Sequence, residues 1–154
     1  MGKIVEVVLH RIQRDDFNGD DEAVMVVGGL WGFTSHTADS PPVDRRDIFN
    51  FPQGPVSFEP GKTVDVNMDA RFSVGTPIQD PTEGIPPWLR FGGELFVKLP
   101  AVPGGQYSLG QEFTKALHTN DLINEQPFKR RVRFRMGDSV EFRCDFTYRY
   151  VHYF

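Results

Sequence analysis

Arg131-Val132-Arg133-Phe134-Arg135-Met136-Gly137-Asp138-Ser139-Val140-Glu141-Phe142-Arg143-Cys144-Asp145-Phe146-Thr147-Tyr148-Arg149-Tyr150 decides the fold. Val132, Phe134 and Met136 alternate with three arginines. After Gly137-Asp138-Ser139, Val140, Phe142, Cys144, Phe146, Tyr148 and Tyr150 alternate with polar residues, the period of a strand with one buried and one wet face. A three-residue connection pairs Met136 with Val140, Phe134 with Phe142 and Val132 with Cys144, keeping every apolar residue on one side. A two-residue turn would set apolar against charged. On the other face the same register sets Arg135 across from Glu141 and Arg131 across from Asp145, with Arg133 and Arg143 as a like-charged pair. This is a long β-hairpin. An isolated hairpin is marginal in water, so it requires a second apolar layer.

Composition points the same way. The 154 residues suffice for one domain, 1–154, that removes roughly two thirds of its unfolded surface from water without disulfides or metals. Fourteen Phe, four Tyr and two Trp supply core, and 15 Gly with 12 Pro supply turns, the mixture of an all-β antiparallel β-sandwich. A formal charge of −4 gives no basic surface for nucleic acid. Cys144, alone and inward on its strand, reads as a small core residue. Residues 1–6 lack both a signal-peptide hydrophobic region and the Ser or Thr of a myristoylation motif, and no apolar run reaches membrane-spanning length. The expected location is cytoplasmic, or outside the cell by export without a signal.

Along the chain, Lys3 to Arg14 reads as a strand with Val5, Val7 and Leu9 on one face and Ile4 and Val8 on the other. Asp15-Asp16-Phe17-Asn18-Gly19-Asp20-Asp21-Glu22 stops it, and Ala23 to Val27 returns as a second strand. Residues 35–54 read as a long loop that packs Ile48, Phe49 and Phe51. Val56 to Glu59 and Val64 to Val74 read as a second hairpin about a Pro60-Gly61 type II turn. Residues 75–87 are a proline-rich loop, Glu94 to Leu99 a short strand, and Glu112 to His118 a helical turn or two with Phe113 and Leu117 on one side. About eight strands with long Pro/Gly-rich loops result.

The acidic loop is the first candidate site, because calcium takes six to eight oxygens and clustered carboxylates on a tight loop offer several. It is not an EF-hand: starting that motif at Asp16, Asp21 stands where glycine is required and Val27 where the bidentate acid belongs. Counting alternations places this loop, the Pro60-Gly61 turn and the 100–130 connection, with Asn120, Asp121, Asn124 and Glu125, at one end of the sandwich. A solvated acidic turn is the alternative.

These stretches carry a resemblance. The acidic loop after an N-terminal strand, Asn120-Asp121-Leu122-Ile123, and a final Gly137-Asp138 hairpin running into Phe146-Thr147-Tyr148-Arg149-Tyr150 resemble C2-like calcium-binding β-sandwiches, at the two ends of the chain and not over 35–110. The resemblance implies an eight-stranded sandwich that binds Ca2+ through loops at one end and engages a membrane surface or a protein partner. Its metal ligands would be Asp15, Asp16, Asp20 and Asp121.

The run Lys129-Arg130-Arg131 with Arg133 and Arg135 suits phosphate or sulfate, whose oxygens match the guanidinium fork; the competing reading is a solvated face balanced by Glu141 and Asp145. No pair among His10, His36, His118 and His152 has metal-ligand spacing. No phosphate loop, nucleophile elbow or Cys-x-x-Cys is present, and nothing selects Glu83 and Glu94 as a catalytic acid and base. Trp31, Trp88 and Tyr107 would stack on sugar rings in a carbohydrate-binding, lectin-like module, and Trp88, in Pro86-Pro87-Trp88 on a loop, is the ligand-binding candidate. The expectation is a non-catalytic binding module. The alternatives are a structural subunit of jelly-roll type, such as a capsid or tail component, or the lectin-like carbohydrate-binding module, with a hydrolase third; the apolar C-terminal residues 151–154 are expected to pack internally or at a contact in a homo-oligomer.

Overall fold

In a computed structural model the chain forms two antiparallel sheets packed face to face. The structure describes residues 2–16, 23–51, 56–75, 84–98, 105–121, 127–137 and 140–153. Ten strands lie in these segments: β1 (Gly2–Asp16), β2 (Val24–Ser35), β3 (Asp44–Asn50), β4 (Val56–Phe58), β5 (Thr63–Gly75), β6 (Trp88–Lys98), β7 (Gln106–Phe113), β8 (Leu117–His118), β9 (Phe128–Met136) and β10 (Val140–Tyr153). One sheet has the order β5-β1-β10-β9; the other has β3-β2-β6-β7, with β4 also on β2 and β8 on β6.

The final hairpin takes the register its alternation demands: Met136 faces Val140, Phe134 faces Phe142, Val132 faces Cys144, and Arg133 faces Arg143. Its inward residues meet the second sheet through aromatic rings. Phe142 packs edge-on against Phe58 with centroids 5.4 Å apart, and Phe146 lies 5.0 Å from Phe91. One apolar cluster joins both sheets, with Val5, Val7 and Leu9 fully buried as their spacing requires.

Four expectations are corrected. Residues 44–50 are an edge strand on β2 rather than loop, although Ile48, Phe49 and Phe51 do join the core. Their charged neighbours hide the period because only one side of an edge strand is covered. The Pro60-Gly61 turn is present, with Gly61 at φ +76° and the Lys62 N–H donating to the Glu59 carbonyl at 3.0 Å. It joins no hairpin, however: β4 pairs with β2 and β5 with β1, so the turn carries the chain from one sheet to the other. Residues 112–118 form no helix. Phe113 ends β7 on the outer face, against Trp31 and Phe33, while Leu117 in β8 is buried, so their four-residue spacing belongs to two strands. The strand read at 94–99 begins six residues earlier, at Trp88.

Among the described residues no helix is long and apolar enough to cross a membrane.

Candidate anion-binding site

Strand β1 changes parity halfway along. Val5, Val7 and Leu9 are buried at odd positions, then Ile12 and Arg14 at even ones. The ladder shows why: Leu9 pairs with Phe146 and Arg11 with Asp145, so His10 is the extra residue of a β-bulge, and the register to β5 slips at the same place. A bulge bends its strand and re-aims side chains. Here it turns Arg11 to the outer face beside His10, whose Nε2 lies 2.8 Å from Thr147 Oγ1.

Two strands away, β9 presents Lys129, Arg131 and Arg133 on that outer face. Between the two banks lies an open hollow of about 560 Å³ lined by His10, Arg11, Lys129, Arg130, Arg131, Arg133, Asp145, Phe146 and Thr147. Five of these side chains are permanent cations and one is a carboxylate. Asp145 is already engaged, accepting from Arg131 Nε at 2.7 Å. Arg11 and Lys129 have no ion-pair or hydrogen-bond partner for their side chains among the described residues. Arg130 donates to the Lys129 carbonyl and stands 5.3 Å from the ring of the buried Tyr148.

Further along β10, past Arg143, Glu141 is buried at 1 % exposure with arginines around it. Arg143 Nε donates to it at 2.8 Å and Arg135 Nε at 3.3 Å, while Arg133 Nε stands 3.8 Å away. Burial alone would raise this carboxyl's pKa; the arginines outweigh it and hold the group below its ordinary value of 4.5. Of the three, Arg133 is held most loosely, and it lines the hollow.

The acidic-loop expectation divides. Asp15 and the Pro60-Gly61 turn do share an end, since the Arg14 N–H donates to the Lys62 carbonyl at 2.9 Å. Asp15 is ion-paired with Arg143. The side chain of Asp16 and the whole of Asp20 lie outside the described residues. Asp121 is at the other end: its neighbour Thr119 accepts from Lys3 Nζ at 3.1 Å, and Lys3 and Asp15 are separated by most of β1, on the order of 40 Å of extended strand. The 100–130 connection runs the length of the sandwich, so counting it at one end placed Asp121 wrongly. Asp121 instead accepts from the His118 N–H at 3.1 Å, in the 3₁₀ turn Thr119–Asp121. Among the described residues no three His, Cys, Asp or Glu side chains are grouped to hold a metal ion.

The aromatic candidates disperse as well. Trp88 opens β6 rather than sitting on a loop, half-buried and edge-on to His118 at 4.7 Å. Trp31 carries the Arg45 guanidinium 4.0 Å from its ring and Phe113 at its edge, while Tyr107 is 51 % exposed on β7. Glu83 lies outside the described residues, and Glu94 is a strand residue of β6 paired with Gly29 and Gln111.

The chain matches no family model, and no curated protein matches it in sequence.

Proposed function

We propose that this protein is a non-catalytic binding module that takes an anionic ligand, one bearing phosphate or sulfate, in the hollow on the outer face of the four-stranded sheet. The observation that carries this is the charge around the hollow: five cations to one carboxylate in a chain whose net charge is −4. A basic β9 alone has a simpler account, because charged side chains keep an edge strand from pairing with another chain. That account does not reach Arg11 and His10, which stand on an inner strand of the sheet, and Arg11 faces outward beside His10 only because β1 is bulged. Guanidinium forks meet phosphate and sulfate oxygens two at a time, and 560 Å³ falls within the range of small-ligand sites. Binding rather than turnover is favoured because the imidazole and hydroxyl of His10 and Thr147 have no third group among the described residues to orient them as base and nucleophile.

Thermal melts in sulfate and in chloride at equal ionic strength test the reading. Sulfate at ten times its Kd adds about 1.4 kcal/mol to native stability and raises the midpoint. Arg11→Glu with Arg131→Glu removes the increment. Superimposable melts of the unsubstituted protein in the two salts would refute the proposal.

A further inference from the structure

Resting on that anionic reading, we infer that the hollow is built for a compact ligand carrying two or more phosphate or sulfate groups on a polar scaffold. Its cations form two separate banks. Arg11 stands on β1; Lys129, Arg131 and Arg133 stand on β9; and β10 runs between them. Two inter-strand spacings set the banks' backbones about 9.5 Å apart, and alternate residues within the β9 bank follow one another at roughly 6.6 Å. A single tetrahedral anion, even if Arg11 and one β9 side chain close on it together, leaves the other β9 cations unmet. A ligand with anionic groups several ångströms apart engages both banks.

Charge gives the same answer. Of the five cations lining the hollow, Arg131 is met by Asp145 and Arg133 in part by the buried Glu141 3.8 Å away, which leaves Arg11, Lys129 and Arg130 without a carboxylate partner among the described residues, whereas a single phosphate supplies at most about two negative charges near neutral pH. Filling the site with one such group leaves the other cations repelling each other across a concave surface. Two such groups bring the site near balance.

The strip between the banks is polar and neutral in part. In the register, Thr147 of β10 faces Lys129, and the bulged His10 reaches its hydroxyl, while Asp145 lies between Arg11 and Arg131. A hydroxyl, an imidazole and a carboxylate on the floor offer donors and acceptors to the hydroxyl groups of a ring. The chemistry is therefore that of a multiply phosphorylated or sulfated polyol, met either free in solution or as the headgroup of a lipid.

The experiment is calorimetric titration of the full chain with inositol hexakisphosphate and, separately, with inorganic phosphate, together with co-sedimentation on phosphatidylcholine vesicles with and without a bisphosphorylated inositol lipid. The expected result is one site for the hexakisphosphate, at least a hundredfold tighter than inorganic phosphate. Arg11→Gln and Lys129→Gln, both on exposed side chains, each weaken it roughly tenfold or more, because each removes a charged contact from a different bank. Lys98→Gln, on the other sheet, leaves it unchanged. Sedimentation with the doped vesicles in addition to soluble binding assigns a lipid source; soluble binding without sedimentation assigns a free one. Equal, weak binding of the hexakisphosphate and inorganic phosphate would overturn this inference and leave the anionic reading standing. Binding of neither would overturn both, and tight binding that survives both Gln substitutions would place the ligand elsewhere and overturn the assignment.

Discussion

Glu141 is the residue at which charge and burial are most closely balanced. Its carboxylate is out of water, and three arginines that keep much of their own solvent contact reach in to it. Removing the charge leaves the arginines to water but the buried amide short of partners, so Glu141→Gln is expected to cost about 1–3 kcal/mol. The pH dependence follows from the direction of the shift. The folded carboxyl titrates below the unfolded value near 4.5, so its contribution is complete above that pH and fades as pH falls through the lower folded value. In acid melts the unsubstituted protein should lose stability over this window, and the Gln variant should start lower and show a shallower decline. Parallel acid profiles for the two would show that the ion-pair cluster contributes nothing to folding. Glycine makes a second point at this scale. A Cβ on Gly92 would stand 2.0 Å from the Glu112 carbonyl oxygen, which is backbone and cannot rotate away. Gly92→Ala should therefore separate β6 from β7 and lower stability by about 1–3 kcal/mol or more, read as a drop in the denaturant midpoint. Unchanged stability would mean that the two strands have room to part.

At the scale of elements, what could be read from the sequence depended on whether a strand has one face or two to satisfy. The 131–150 hairpin was legible to the residue, because apolar and charged positions strictly alternate and only one register keeps both faces consistent. Strand β3 was not, since its exposed edge tolerates Asp44, Arg45, Arg46 and Asp47 in succession. The bulge at His10 left a trace in the sequence: apolar positions move from odd to even between Leu9 and Ile12, and that slip is what supplies Arg11 to the hollow. The basic run of β9 was visible, but its opposite bank depends on a register between strands far apart in sequence. The same dependence misplaced Asp121. Because Asp15 and the 119–121 turn lie at opposite ends of β1, any calcium response involving Asp15 should be independent of Asp121. Calcium titrations of the unsubstituted protein and of Asp121→Asn, followed by melting midpoint, should superimpose once the small baseline change from the His118 contact is subtracted. A calcium shift abolished by Asp121→Asn would contradict the strand order itself.

For the molecule as a whole, the two sheets are held by one core, and Cys144 reports on it from the centre of β10, between β1 and β9. Its thiol is fully buried, and burial pushes its pKa well above the usual thiol range, with Asp145 adding in the same direction. The thiolate is the reactive form, so two barriers stand before modification: the sheets must part to admit a reagent, and the thiol must reach water to ionise. No local movement of an edge strand meets both conditions, because the residue lies on an inner strand with Val132 and Ile12 paired on either side. Labelling should therefore track opening of the whole core. In native buffer near pH 8 a small disulfide reagent is expected to leave Cys144 unmodified for times in which the denatured chain reacts fully. As denaturant is raised, the labelled fraction should climb along the same curve as the loss of β-sheet circular dichroism, both giving one midpoint. Substitutions that weaken the core, Gly92→Ala among them, should move both curves together, whereas Arg11→Gln and Lys129→Gln, on the outer face, should move neither. Labelling that runs ahead of the loss of sheet structure would reveal a partly open state in which β9 leaves β10 first, and the sandwich would then unfold in steps rather than as one cooperative unit.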